Sequence, residues 1–138
     1  MNLVAPILRM AFSGTFCLAV LCTAAQAETL ANPVAELAGL DKITGRLTQF
    51  DVYIDETVQY GALQITPRAC YTRPPNEVQR TSVFLEVDQV SLQGTISQVF
   101  SGWMFADSPA LSALDHAVYD IWLVNCKSSS EVLPPDQR

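Results

Sequence analysis

Few residues in this chain have the types and spacing that chemistry needs. The one histidine, His116, follows Asp115 and precedes Asp120, with Ser108 and Ser112 just upstream. A Ser–His–Asp set for nucleophilic attack can be assembled from these residues. No Gly-x-Ser-x-Gly elbow frames either serine, and serines beside a short helical turn ordinarily cap it. His116, Asp115 and Asp120 are also types that a transition metal accepts, and on a strand residues 116 and 120 share a face. A lone imidazole–carboxylate pair is more often a clip that positions a loop. Glu86 and Asp88, two apart on one strand face, are the nearest approach to a glycosidase acid pair. Alternating acids on such a face normally point into water. The sequence therefore assigns no catalytic residue, no metal site and no cofactor. Trp103, Phe105, Tyr119 and Trp122 remain: exposed, they would stack sugars or another ligand; buried, they are core.

These side chains must be positioned by short extended elements. Val83, Leu85 and Val87 alternate with Glu86 and Asp88, and Gln93-Gly94 reads as a hairpin turn. In the stretch 96–105, Ile96, Phe100 and Met104 share one parity and Val99, Trp103 and Phe105 the other. In 118–126, Val118, Trp122 and Val124 oppose Tyr119, Ile121 and Leu123. Both stretches are apolar on both sides, which predicts central strands. Between them Asp107-Ser108-Pro109 opens a short helical segment near 109–114, with Ser108 as its cap and Leu111 and Leu114 on one side. Leu63, Ile65, Pro67, Ala69 and Tyr71 alternate against Gln64, Thr66, Arg68 and Thr72, which places Cys70 on the polar side. From Lys42 the phase runs through Ile43, Gly45 and Leu47, then switches to Phe50, Val52 and Ile54, predicting a bulge near Gln49. The fold class is mostly β: a small antiparallel β-sandwich or barrel with one short helical segment.

Residues 1–27 read as a signal peptide. Arg9 precedes an apolar run from Phe12 to Ala25, and Ala25-Gln26-Ala27 has small residues where a signal peptidase reads. The run is shorter than the roughly 20 residues of a membrane-spanning helix, so cleavage after Ala27 and no stable membrane insertion afterwards are expected. Residues 28–41 read as a lead-in, where Asn32-Pro33 and Gly39 bracket one or two helical turns. The domain proper is 42–127, and the polar residues 128–138, with Pro134-Pro135, read as a disordered tail.

The 138 residues carry 8 basic and 14 acidic side chains, a net charge of −6. Nucleic acid is excluded as a partner on this balance, since binding it rests on neutralising phosphates. Of four cysteines, Cys17 and Cys22 leave with the signal. Cys70 and Cys126 remain, an even count for an oxidising compartment. A disulfide between them is expected; two buried free thiols or a metal pair are the alternatives, the last ill served without Cys-x-x-Cys spacing.

One resemblance adds to this reading. Phe100-Ser101-Gly102-Trp103-Met104-Phe105-Ala106-Asp107-Ser108-Pro109, then Leu114-Asp115-His116, Val118-Tyr119-Asp120-Ile121-Trp122 and Cys126 resemble the DUF2155 family of small exported alphaproteobacterial proteins, a domain of unknown function. Leu63-Gln64-Ile65 leading to Cys70-Tyr71 matches it too. The resemblance spans roughly Lys42–Lys127. Members usually have proline after the histidine, where this chain has Ala117. It implies a Gram-negative periplasmic setting and a cysteine pair at Cys70 and Cys126, and it implies no activity. The function expected is a non-catalytic periplasmic module binding an envelope protein. A binder of cell-wall glycan or another small envelope ligand is the alternative, and a metal-assisted enzyme the third reading. The candidate contact residues are Asp107, Ser108, Ser112, Asp115 and His116, in the longest excursion between two strands.

Overall fold

A computed structural model describes residues 26–138; the expected signal peptide lies almost wholly outside them. Eight strands make two antiparallel sheets: β1 (Leu30–Ala31), β2 (Val34–Asp41), β3 (Arg46–Tyr53), β4 (Val58–Tyr60), β5 (Leu63–Thr72), β6 (Ser82–Val90), β7 (Ile96–Phe105) and β8 (Tyr119–Lys127). The larger sheet runs β1-β5-β6-β7, with β4 also on β5; the smaller runs β3-β2-β8. The architecture is an open sandwich rather than a closed barrel. Val83, Leu85 and Val87 of β6, Leu63 and Ile65 of β5, and Met104 of β7 meet Ala35, Leu37, Val52, Ile121 and Leu123 of the smaller sheet in one buried cluster. Burying such side chains stabilises by about 1.5–3 kcal/mol each.

Turn chemistry fixes the registers. Asp41 Oδ1 accepts from the N–H groups of Ile43 at 2.9 Å and Thr44 at 3.3 Å, and Gly45 closes the β2–β3 hairpin at φ 71°. The phase switch read near Gln49 is this turn, not a bulge: β3 pairs with β2 without a register shift, and Ile43 is 77% exposed. The helical lead-in is corrected more strongly. Residues 34–41 form β2, the centre of the smaller sheet, with β3 and β8 on either side. Its alternating small and apolar residues suit a strand enclosed on both sides.

Plain alternation puts Cys70 on the polar side of its strand, yet both cysteines point into the core, each beyond a bulge. In β5 the register shifts between Pro67 and Ala69, so Leu63 and Ile65 point inward and, past the shift, so does Cys70. In β8 the register steps from Leu37↔Leu123 to Glu36↔Asn125, leaving Val124 without a partner and turning Cys126 inward. A bulge inserts one residue and swaps faces beyond it. Cys70 and Cys126 form a disulfide between the sheets, with Cα atoms 5.7 Å apart.

Two strands expected to be central lie at edges. β7 ends the larger sheet and β8 ends the smaller. Their second apolar faces are outer surfaces of the sandwich. The tail also departs from the free segment expected. Ser130 Oγ donates to Asp51 at 2.5 Å, Tyr53 OH donates to the Val132 carbonyl at 2.7 Å, and Arg138 pairs with Glu56 at 2.8 Å. Acids on β3 and in its turn supply partners that composition alone does not reveal.

Candidate functional site

β7 and β8 belong to different sheets but pack near one another. Residues 106–118 cross between them, which is why this excursion is long. Its helical part is a single 3-10 turn, Pro109–Leu111; Ser108 stands at the cap position without a side-chain capping bond. Leu111 and Leu114 do not share a side: Leu114 is buried in the core, while Leu111 is 76% exposed.

The excursion is anchored at its end by His116. The imidazole Nδ1 accepts the backbone N–H groups of Val118 and Tyr119, each at 3.1 Å. The ring stacks on Tyr119, centroids 5.4 Å apart, and Tyr119 meets Tyr60 edge-on. Tyr60 stacks on Phe50 and lies directly over Gly39. Asp120 does not converge on His116. It pairs with Lys42 at 3.0 Å, and the same Lys42 Nζ donates to the His116 carbonyl at 2.7 Å. His116 thus serves as a backbone acceptor. Asp115 is exposed, and among the described residues no His, Cys, Asp or Glu cluster could hold a metal ion.

Asp107 and Ser108 line a small hollow of about 90 Å³ with Arg80, Phe105 and Leu111. Ser112 lies toward Gly102 of β7. The larger cleft lies elsewhere on the excursion: about 320 Å³, walled by Pro109, Ala110, Ala113 and Leu114 against Ile121 and Trp122, with Asp120 at its polar margin. Ligand sites commonly have this character, concave and mostly apolar with few polar groups. Of the candidate contact residues, then, Asp107 and Ser108 share one hollow, and the apolar cleft draws on their neighbours instead.

The four aromatics proposed as core or platform occupy three places. Trp103 and Phe105 follow the parity of Phe84 and Ser82 on the outer face of the larger sheet. Trp122 lines the cleft and Tyr119 closes the end of the sandwich. None is fully buried. Trp103 instead stacks on Tyr71, centroids 5.7 Å apart, and meets Phe84 edge-on at 5.3 Å. Plain alternation puts Tyr71 on the apolar parity of its strand and Cys70 on the polar one. The shift between Pro67 and Ala69 reverses this, and the meeting of Tyr71 and Phe84 with Trp103 depends on strand order. A charged group on the smaller sheet was also missed. Lys127 bonds to Asp51 at 3.0 Å and to Glu36 at 3.2 Å, and the Asp51 bond raises the ammonium pKa above its ordinary value.

The family described as "Uncharacterized protein conserved in bacteria (DUF2155)" matches residues 35–126, from β2 to the second cysteine of the disulfide. The chain belongs to the DUF2155 family. The match takes in the crossover, the cleft and both bulges, so these features lie within the DUF2155 domain itself. An uncharacterized protein of Rickettsia prowazekii (strain Madrid E) is 22% identical over 91 residues, covering 66% of this chain and 59% of that protein. The DUF2155 chain thus spans under two thirds of that relative's length. No solved structure matches.

Proposed function

We propose that this protein is a non-catalytic module, exported to the periplasm, that docks a protein of the cell envelope. The observation that carries the reading is the apolar cleft between the 106–118 crossover and Trp122. A preformed apolar concavity offers a partner side chain burial at little ordering cost. Asp120 at the cleft's margin is paired with Lys42, which together with His116 holds the crossover. The acidic balance, net −6, fits a neutral or basic partner better than nucleic acid or anionic lipid.

A photocrosslinking residue at Ala110 or Ala113, in the protein expressed in its host envelope, tests this. A discrete protein adduct that disappears in Trp122→Ala, with melting unchanged, is the expected result. Adducts that survive Trp122→Ala, or arise equally from exposed Leu92, would remove the cleft as the docking site.

A second reading, binding of cell-wall glycan, draws on the Tyr71–Phe84–Trp103 cluster, because sugar faces stack on exposed aromatics. Titration with soluble peptidoglycan fragments decides it: quenching of tryptophan fluorescence that Trp103→Ala abolishes supports it, and a flat titration removes it.

A further inference from the structure

We propose that β7 is a docking edge that takes an extended, cationic segment of a second protein as a further strand of the larger sheet. The inference rests on the reading of the protein as a protein-binding module, but it concerns a different surface from the cleft.

Edge strands carry unpaired backbone groups and are normally blunted by charge, proline, shortness or a covering element. The other described edges are guarded in these ways. β3 carries Arg46 and Asp51, β8 carries Asp120, Lys127 and a bulge, and the far edge of β5 is covered by the short strands β1 and β4. β7 has one bulge, where the register against β6 steps from Val87↔Phe100 to Asp88↔Gln98 and leaves Val99 without a partner. It has no charge, proline or covering strand along its free side. Its ten residues, Ile96 to Phe105, include no charged residue and no proline. Antiparallel pairing with β6 uses the backbone groups of alternate residues, leaving the intervening N–H and C=O groups directed away from the sheet. At the end of the strand the Phe105 carbonyl accepts the Ser108 N–H at 3.3 Å; among the described residues no other backbone bond from outside the sheet reaches these groups.

The side chains along this edge define what would pair there. Ile96, Gln98, Ser101, Trp103 and Phe105 follow the outer parity, opposite Val90, Asp88, Glu86, Phe84 and Ser82. Ile96 is 58% exposed and Trp103 40% exposed, the latter braced by Tyr71 and Phe84. An added strand would lay one apolar side chain against Trp103 and others beside Ser101 and Gln98, one strand away from Glu86 and Asp88. Arg68 already pairs with Glu86 and Asp55. Asp88 makes no ion pair among the described residues. Main-chain bonds supply affinity in this mode and alternate side chains supply choice. The acids one strand away favour Lys or Arg in the incoming segment. They also oppose a second copy of this chain, since both copies bring the same acids and a net charge of −6.

The test uses the purified ¹⁵N-labelled protein and synthetic peptides of about eight residues, the usual span of one strand. Three peptides alternate Val with Lys, Val with Thr, and Val with Glu; a fourth is the Val/Lys peptide N-methylated on alternate amides. The Val/Lys peptide is expected to bind tightest and to slow amide exchange in alternate residues of 96–103. N-methylation should abolish this protection. Gln98→Lys and Ser101→Lys should each weaken Val/Lys binding about tenfold through like-charge repulsion, with melting unchanged, while Trp122→Ala should leave it intact. The proposal is overturned if the Val/Lys peptide gives no protection in β7, if the N-methylated or Val/Glu peptide binds as well, or if the edge amides are already protected by a sedimenting dimer. Such a failure alongside intact cleft crosslinking would leave the binding-module reading standing.

Discussion

His116 shows how a residue that invites a chemical reading can be committed to structure. With Nδ1 accepting two backbone N–H groups, its removal leaves two donors in a half-buried corner without a partner. His116→Ala is expected to destabilise by about 1–3 kcal/mol, measured as a shift in denaturant midpoint. His116→Asn, whose side-chain oxygen can accept, should recover part of the loss. Lys42 bridges the same corner, but its pair with Asp120 is well exposed, so Lys42→Met should cost less than about 1 kcal/mol. The sequence placed His116 beside two acids and suggested a clip through a carboxylate. The loop backbone, folded back on the ring, takes that place instead.

At the scale of elements, the end of the sandwich is built by Tyr60 lying across Gly39. A Cβ on Gly39 would fall 2.6 Å from Tyr60 Cζ, so Gly39→Ala should destabilise by about 1–3 kcal/mol, read by urea unfolding, and Tyr60→Phe should not relieve it. Burial raises the Tyr60 pKa above its ordinary 10.0, and the bond to Asp51 raises that of Lys127 above 10.5. Both groups hold their protons more tightly when folded. Their stabilisation is therefore full below the unfolded pKa and is lost as pH rises through the folded values. Unfolding midpoints should fall above about pH 10, less steeply in Tyr60→Phe; an equal slope in that variant would exclude Tyr60 as a contributor. The strands of this end were legible as apolar alternation. That 34–41 is a strand was not, because Asn32-Pro33 and Gly39 are signals shared by helix ends and strand borders.

For the whole molecule, the disulfide joins β5 of one sheet to β8 of the other. Losing either cysteine should cost about 2–5 kcal/mol. Intact mass after alkylation without reductant should show no label on Cys70 or Cys126, and two labels would refute the bridge in the isolated protein. Export is tested by N-terminal sequencing from a fractionated host: a start at Glu28 is expected, and an intact cytoplasmic product would refute the periplasmic setting.

The amino-acid order by itself determined the β-rich class, the hairpin at Gln93-Gly94, the inward set Val83, Leu85 and Val87, and the cysteine pair. All of these rest on local periodicity, on turn residues or on counting. It could not determine which strands are central, because an apolar outer face and a buried second face have the same pattern in one strand. β7 and β8 read as interior on that ground, yet pairing with distant strands leaves both at edges. Nor could it place Cys70 and Cys126, since each lies beyond a bulge that exists only in register with a neighbouring strand. The cleft, the Tyr71–Phe84–Trp103 cluster and the open edge of β7 share that origin. Each is made by residues far apart in the chain, brought together when two sheets close on one core.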